Sequence, residues 1–237
     1  MIKIVEKIGV ENLIRLGIDE AGKGPVIGPM CIAGVCVTEE QEKKLRILGV
    51  DDSKKLTAKK REQLAVSIKK YATAFYVYEV EPKKIDDLRK IMTMNEIMVL
   101  CFSKVMEELT VQIQNSSGAP EFFSSVFLDA ADVLEERFAH RVKEEYSKKF
   151  KDRAEGIEFI SKHKADTISP AVSAASILAK THRDELIEEI KKKEKVDFGS
   201  GYPSDPKTKA FLEKWIKEND DFPDYVRKSW KTAENLR

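Results

Sequence analysis

The chain has no apolar run long enough to cross a bilayer, no cysteine pair with C-x-x-C spacing, and no excess of either charge. The first absence excludes a membrane-spanning helix. The charged start Met1-Ile2-Lys3-Ile4-Val5-Glu6-Lys7 also lacks the apolar centre of a secretory signal. Cys31, Cys36 and Cys101 are odd in number and lie among apolar neighbours. That pattern fits small buried residues in a reducing compartment, not a disulfide framework or a zinc site, so a cytoplasmic location is expected. Lys plus Arg number 42 against 41 Asp plus Glu, so net charge supplies no general attraction to nucleic acid. A basic surface would need local segregation, as in Lys54-Lys55, Lys59-Lys60-Arg61 and Lys69-Lys70, which are more commonly explained as solvated helix faces. Internal repeats, low-complexity tracts and long linkers are lacking too. With 237 residues, 42% hydrophobic and 35% charged, the chain is expected to be one large globular domain or a domain with an appendage.

What is present is concentrated in Leu16-Gly17-Ile18-Asp19-Glu20-Ala21-Gly22-Lys23-Gly24-Pro25. Two adjacent carboxylates follow an apolar strand and run into a glycine-flanked lysine. Open α/β sheets place ligand sites beyond strand ends, and paired carboxylates are hard oxygen ligands for Mg²⁺ or Mn²⁺. Gly22 and Gly24 allow close backbone approach, while Lys23 offers a cation to phosphate. The run also spells G-x-x-x-x-G-K, but Gly24 stands where a P-loop needs Ser or Thr to ligate Mg²⁺. Asp19 and Glu20 would moreover set two negative charges against a polyphosphate. The P-loop reading fails.

Periodicity predicts a mixed pattern of strands near Leu13–Asp19, Met30–Val37 and Ala74–Val80, with Thr57 capping a helix through Lys70. Pro82 opens a helical stretch to about Glu108, and Gln114 to Pro120 reads as a loop. Val126-Phe127-Leu128 is a buried strand stopping at Asp129, a helix covers Val133 to Phe150, and a short strand covers Ile157 to Ile160. Ser169-Pro170 caps a helix through Lys193, so Asp166 falls just before a helix N-terminus. Beyond Val196 a turn-rich lead precedes a helix over Lys207–Glu218. The expected division is a main domain over 1–195 and a C-terminal helical segment over 196–237 packed on it.

Asp19, Glu20, Asp129 and Asp166 thus stand at strand ends or before a helix, where a mixed sheet could gather them, although Asp at such places is commonly a turn or cap residue. Six ordered segments carry more: Gly17 to Pro25, Asp51-Asp52-Ser53-Lys54-Lys55-Leu56, Asp129-Ala130-Ala131-Asp132-Val133, His163-Lys164-Ala165-Asp166, Ser173 to Lys180, and Gly201-Tyr202-Pro203-Ser204-Asp205-Pro206. Together they resemble ribonuclease HII of the archaeal and eukaryotic catalytic-subunit type, over nearly the whole chain.

The resemblance implies an α/β, RNase H-like fold, a five-stranded mixed sheet flanked by helices with a helical C-terminal segment that helps hold substrate. It implies that Asp19, Glu20, Asp129 and Asp166 are catalytic and hold two divalent ions, Mg²⁺ or Mn²⁺. Asp132, the second acid of its motif, is not assigned. The implied activity is hydrolysis of RNA in RNA/DNA hybrids and cutting 5′ to ribonucleotides embedded in duplex DNA. The products are a 3′-hydroxyl and a 5′-phosphate, and the implied roles are ribonucleotide and primer removal. Gly22, Lys23 and Gly24 would contact the 2′-hydroxyl and adjacent phosphates, Ser53, Lys54 and Lys55 would contact phosphate, and Tyr202 would pack on the next sugar. Tyr202 also reads as a turn anchor, and Lys180, Arg183 and Asp184 as either substrate-holding or structural. Imidazole is not needed at an oxygen-rich magnesium site, so His163 and His182 are left out.

The commonest family form has Arg in place of Lys23; lysine keeps the charge but loses the bidentate fork. Two other readings are a DNA junction resolvase of the same fold and a non-catalytic hybrid-binding module. The glycine-lysine-glycine segment with Tyr202 argues against the first, and the full set of acids against the second. A monomer without membrane association is expected.

Overall fold

The run Met30–Val37 has no polar alternation, the signature of a strand covered on both faces. In the computed structural model, which describes residues 13–50, 56–117 and 123–237, it is the strand β2, buried at every position. The other strands are β1 (Ile14–Ala21), β3 (Ala74–Val80), β4 (Phe123–Asp129) and β5 (Glu158–Lys162). They form one sheet in the order β3-β2-β1-β4-β5. β1 and β3 run antiparallel to β2, whereas β4 is parallel to β1 and β5 parallel to β4. This is the mixed five-stranded sheet expected from the resemblance.

Period-two alternation sorts the sheet into two faces. Leu16, Ile18, Met30, Ile32, Val126 and Leu128 pack with one core, whose helices are α4 (Met94–Ser117) and α5 (Glu135–Gly156). Ala33, Val35 and Val37 face a second core with α1 (Glu39–Ile47), α2 (Ala58–Tyr71) and α6 (Pro170–Glu194). The first half of α6 is Pro-Ala-Val-Ser-Ala-Ala-Ser-Ile-Leu-Ala and buried throughout, since small side chains let a helix lie flat on a sheet. At Gly17 a Cβ would stand 2.2 Å from the Ala171 carbonyl carbon, so only glycine admits α6 at this distance.

Among the described residues the remaining α-helices are α3 (Pro82–Arg89), α7 (Pro206–Glu218) and the single turn α8 (Lys231–Glu234). A third core, with Val26, Ile27, Ile187, Phe198, Leu212 and Phe222, joins the C-terminal residues to α6 and to the loop after β1. Two expectations are corrected. The stretch from Pro82 to Glu108 is two helices, because Thr93 opens a new one: its hydroxyl accepts from the Glu96 amide while Glu96 accepts from the Thr93 amide. Helix α4 then runs through Gln114 to Ser117, where a loop was expected. α1 was missed, although Thr38 and Gln41 form a capping box in the sequence itself.

Candidate active site

The pairing of β1 with β4 ends at Ile18 and Leu128, so Asp19 and Asp129 follow as neighbours on adjacent parallel strands. Both lie at positions that face α6. The Asp19 carboxylate accepts from Ser176 on that helix and from the Glu20 amide at 2.7 Å. Asp129 Oδ1 accepts from the Ala165 amide at 2.8 Å, which ties the end of β4 to the 3₁₀ turn Ala165–Thr167 containing Asp166. Asp19 and Asp166 are buried, at 5% and 2% exposure. Glu20 alternates to the opposite side of β1 and accepts from the Lys23 amide at 3.2 Å.

Burial, followed by the charge of Asp129, holds the Asp19 carboxyl well above its ordinary range. Glu20 is also raised, again by burial first, with the Lys23 amide and charge opposing. The side chains are therefore crowded carboxylates that favour losing charge or gaining a cation. An all-oxygen, charge-crowded donor set fits a hard divalent ion such as Mg²⁺ or Mn²⁺. Among the described residues, no group of three or more His, Cys, Asp or Glu side chains is placed so that it could hold a metal ion.

The loop after β1 turns at Gly22, whose φ of +90° and whose closeness to Arg183 bar a side chain. Lys23 Nζ donates to the Ala131 carbonyl at 2.7 Å, bridging to the loop after Asp129. Tyr202 is half-exposed beside Gly24, and the Arg183 guanidinium lies 5.7 Å from its ring. Gly22, Lys23 and Gly24 thus follow directly on Asp19 and Glu20, and Tyr202 lies against Gly24, while Ser53, Lys54 and Lys55 lie outside the described residues. Lys180 Nζ donates to Ser176 Oγ at 2.9 Å, which places it behind Asp19. Asp184 pairs with Arg61 at 2.9 Å. His163 meets the Val133 carbonyl and His182 meets Glu79.

Three residues were given no role by the sequence reading. Asp132 is buried and held by Arg137, whose charge and fork depress its carboxyl to about 2. Ser176 contacts Asp19 from within an Ala-rich helix where it reads as packing. Arg227 is wholly inaccessible although it sits in a charged tail. For the last two no local signal exists, because only the tertiary fold reveals their neighbours.

A mixed five-stranded sheet with helices on both faces is the architecture of ribonuclease H-like proteins, and solved structures share it. The ribonuclease H2 from Pyrococcus horikoshii OT3 superposes with a TM-score of 0.74 at 39% identity, covering 94% of this chain and 97% of that one. RNase HII from Archaeoglobus fulgidus, solved in a PCNA complex, gives 0.78 at 39% identity, covering 94% and 96%. A Bst-RNase HIII in complex with Mn²⁺ gives 0.77 at 19% identity, a likeness of fold alone. The sequence pattern describing Ribonuclease HII matches residues 16–233. Ribonuclease HII of Methanosarcina acetivorans is 61% identical over 222 residues, covering 93% of this chain and 94% of that protein. The Thermococcus kodakarensis protein is 46% identical over 220 residues, covering 93% and 88%. The chain belongs to the ribonuclease HII family, and is an endonuclease of the ribonuclease H type that acts on RNA paired with DNA. Among the described residues no helix is long and apolar enough to cross a membrane.

Proposed function

We propose that this endonuclease hydrolyses the RNA strand of RNA/DNA hybrids and cuts 5′ to ribonucleotides embedded in duplex DNA, leaving 3′-hydroxyl and 5′-phosphate ends. In this reading Asp19, Glu20, Asp129 and Asp166 hold two divalent ions, Mg²⁺ or Mn²⁺. Bound there, such ions would supply activation of water for in-line attack and charge stabilisation of the leaving 3′-oxygen. The observation that carries the reading is the convergence of Asp19 and Asp129 at the ends of adjacent parallel strands, with burial and mutual repulsion raising the Asp19 carboxyl.

The chain's own groups then position the substrate. Asp129 is steadied by the Ala165 amide and Asp19 by Ser176. Gly22, Lys23 and Gly24 contact the ribose hydroxyl and adjoining phosphates, and Tyr202 packs on the following sugar. Ser53, Lys54 and Lys55 contact phosphate. We assign residues 1–195 to the catalytic domain and 196–237 to a segment that completes the substrate side, in a monomeric, cytoplasmic enzyme serving ribonucleotide and primer removal.

The test is incubation of the purified chain with Mg²⁺ or Mn²⁺ and three DNAs: a duplex with one ribonucleotide, the same duplex without it, and a four-way junction. A nick only in the first, on the 5′ side of the ribonucleotide, is expected. Cutting of the junction would indicate a resolvase instead.

A further inference from the structure

We propose that Arg227 and Trp230 are positioning residues that aim the backbone amides of Lys23 and Gly24 at the ribonucleotide. The inference rests on the reading of Gly22 to Gly24 as the ribose-contacting segment. Arg227 cannot touch substrate, because its side chain is wholly buried. Its fork is spent on carbonyls of the loop after β1: Nη2 donates to Gly22 at 2.6 Å, Nη1 to Lys23 at 3.2 Å and Nε to Gly28 at 3.0 Å. Trp230 stacks under the guanidinium, its ring centre 4.8 Å away, and its Nε1 donates to the Gly24 carbonyl at 3.0 Å. Three successive carbonyls are therefore drawn to one side by the C-terminal segment.

Every described peptide bond is trans, and in a trans peptide the C=O and the following N–H point in opposite directions. Drawing the Gly22 carbonyl inward turns the Lys23 amide outward, and drawing the Lys23 carbonyl inward does the same for Gly24; the Gly24 carbonyl precedes Pro25, which has no N–H, so Trp230 acts by fixing Gly24 and by holding the Arg227 guanidinium in place. The Lys23 amide indeed emerges on the carboxylate side, donating to Glu20. Farther along, the amides of Val26, Ile27 and Gly28 are occupied by carbonyls of Gly201 and Tyr225. The loop is thereby divided into amides committed to the C-terminal segment and amides directed at the site. A buried cation on the carbonyl side also polarises those peptides, strengthening the outward N–H groups as donors. Simple anchoring of the tail would not require it, since an apolar side chain of similar volume fills a core at lower cost.

The test is binding, in an Asp129→Asn background with Mg²⁺, to a DNA duplex containing one ribonucleotide and to the same duplex in all-DNA form. The background should prefer the ribonucleotide duplex. Arg227→Lys keeps the charge but loses the fork, and should shrink that preference by about 3- to 10-fold, the worth of one hydrogen bond. Its affinity for the all-DNA duplex, which keeps the phosphates but lacks the hydroxyl, should fall by less. Trp230→Leu removes the ring on which the Arg227 guanidinium rests; it should shrink the preference about 2-fold, and it carries the test if Arg227→Lys fails to fold by circular dichroism. A merely structural role lowers both affinities together or leaves their ratio intact, and either result overturns the inference. Equal binding of the two duplexes by the background itself would overturn the reading of the segment and this inference with it.

Discussion

Asp19 is placed where a carboxylate is costly: it is buried, adjacent to Asp129 and beside Glu20. An ionised group so placed destabilises the folded chain until a cation compensates it. Asp19→Asn is accordingly expected to raise Tm in the metal-free protein by about 2–4 °C, the shift that ~1 kcal/mol produces at this size, while abolishing cleavage. Added Mn²⁺ should raise Tm in the wild type and do so less in the variant, since a ligand stabilises only the state that binds it. Differential scanning calorimetry with and without EDTA checks both. Asp132 behaves in the opposite sense. Arg137 depresses its carboxyl from 3.8 to about 2, so its contribution is present above its unfolded value and is lost as pH falls through the folded one. Urea midpoints measured from pH 5 to pH 2 should fall more steeply below about pH 4 in the wild type than in Asp132→Asn. The acids of the candidate site were legible in the sequence because each follows an apolar strand or precedes a cap. Asp132 was legible only as a letter in a motif, its Arg137 clamp requiring the turn into α5 to be in place.

At the scale of elements, the contact of α6 with β1 decides whether the candidate site assembles. A Cβ at Gly17 would meet backbone of Ala171 and Val172 at 2.2 and 2.3 Å, and backbone cannot rotate away. Gly17→Val is expected to cost at least about 1–3 kcal/mol, the range for overpacked cores. It should also lower activity beyond the loss of folded protein, because Ser176 rides on the same helix as the clashing residues. Urea unfolding together with activity per folded molecule tests this. The bounds of β2 and β3 were readable to the residue because turn residues and apolar runs delimit them. The break between α3 and α4 was not read, since Lys90 to Met92 lacks proline and glycine and the apolar period continues through it. The capping pair Thr93 and Glu96 was the available signal there, as Thr38 and Gln41 were for α1.

Across the whole molecule, the C-terminal residues complete the surroundings of the candidate site rather than trailing from it. Asp86 on α3 accepts from the amides of Lys228 and Ser229 at 2.8 and 3.0 Å and from the Ser229 hydroxyl at 2.6 Å, holding the segment that bears Arg227. Asp86→Ala should leave sheet amides equally protected while hydrogen exchange over 222–237 accelerates by about 10-fold or more, since each lost bond is worth about 1 kcal/mol. Uniform acceleration across the sheet would contradict this coupling. Such long-range ties are invisible to sequence patterning, which records neither the distance from Asp86 to Ser229 nor the burial of Arg227. The central claim, that Asp19, Glu20, Asp129 and Asp166 act as one metal-holding set, is tested most directly by single-turnover cleavage of a duplex bearing one ribonucleotide. The wild type and the variants Asp19→Asn, Glu20→Gln, Asp129→Asn and Asp166→Asn would each be titrated with Mg²⁺. The account predicts a nick 5′ to the ribonucleotide and a rate loss of about 10²-fold or more in every variant, as loss of a transition-state group entails. Near wild-type rates at saturating Mg²⁺ in Asp19→Asn or Asp129→Asn would contradict it.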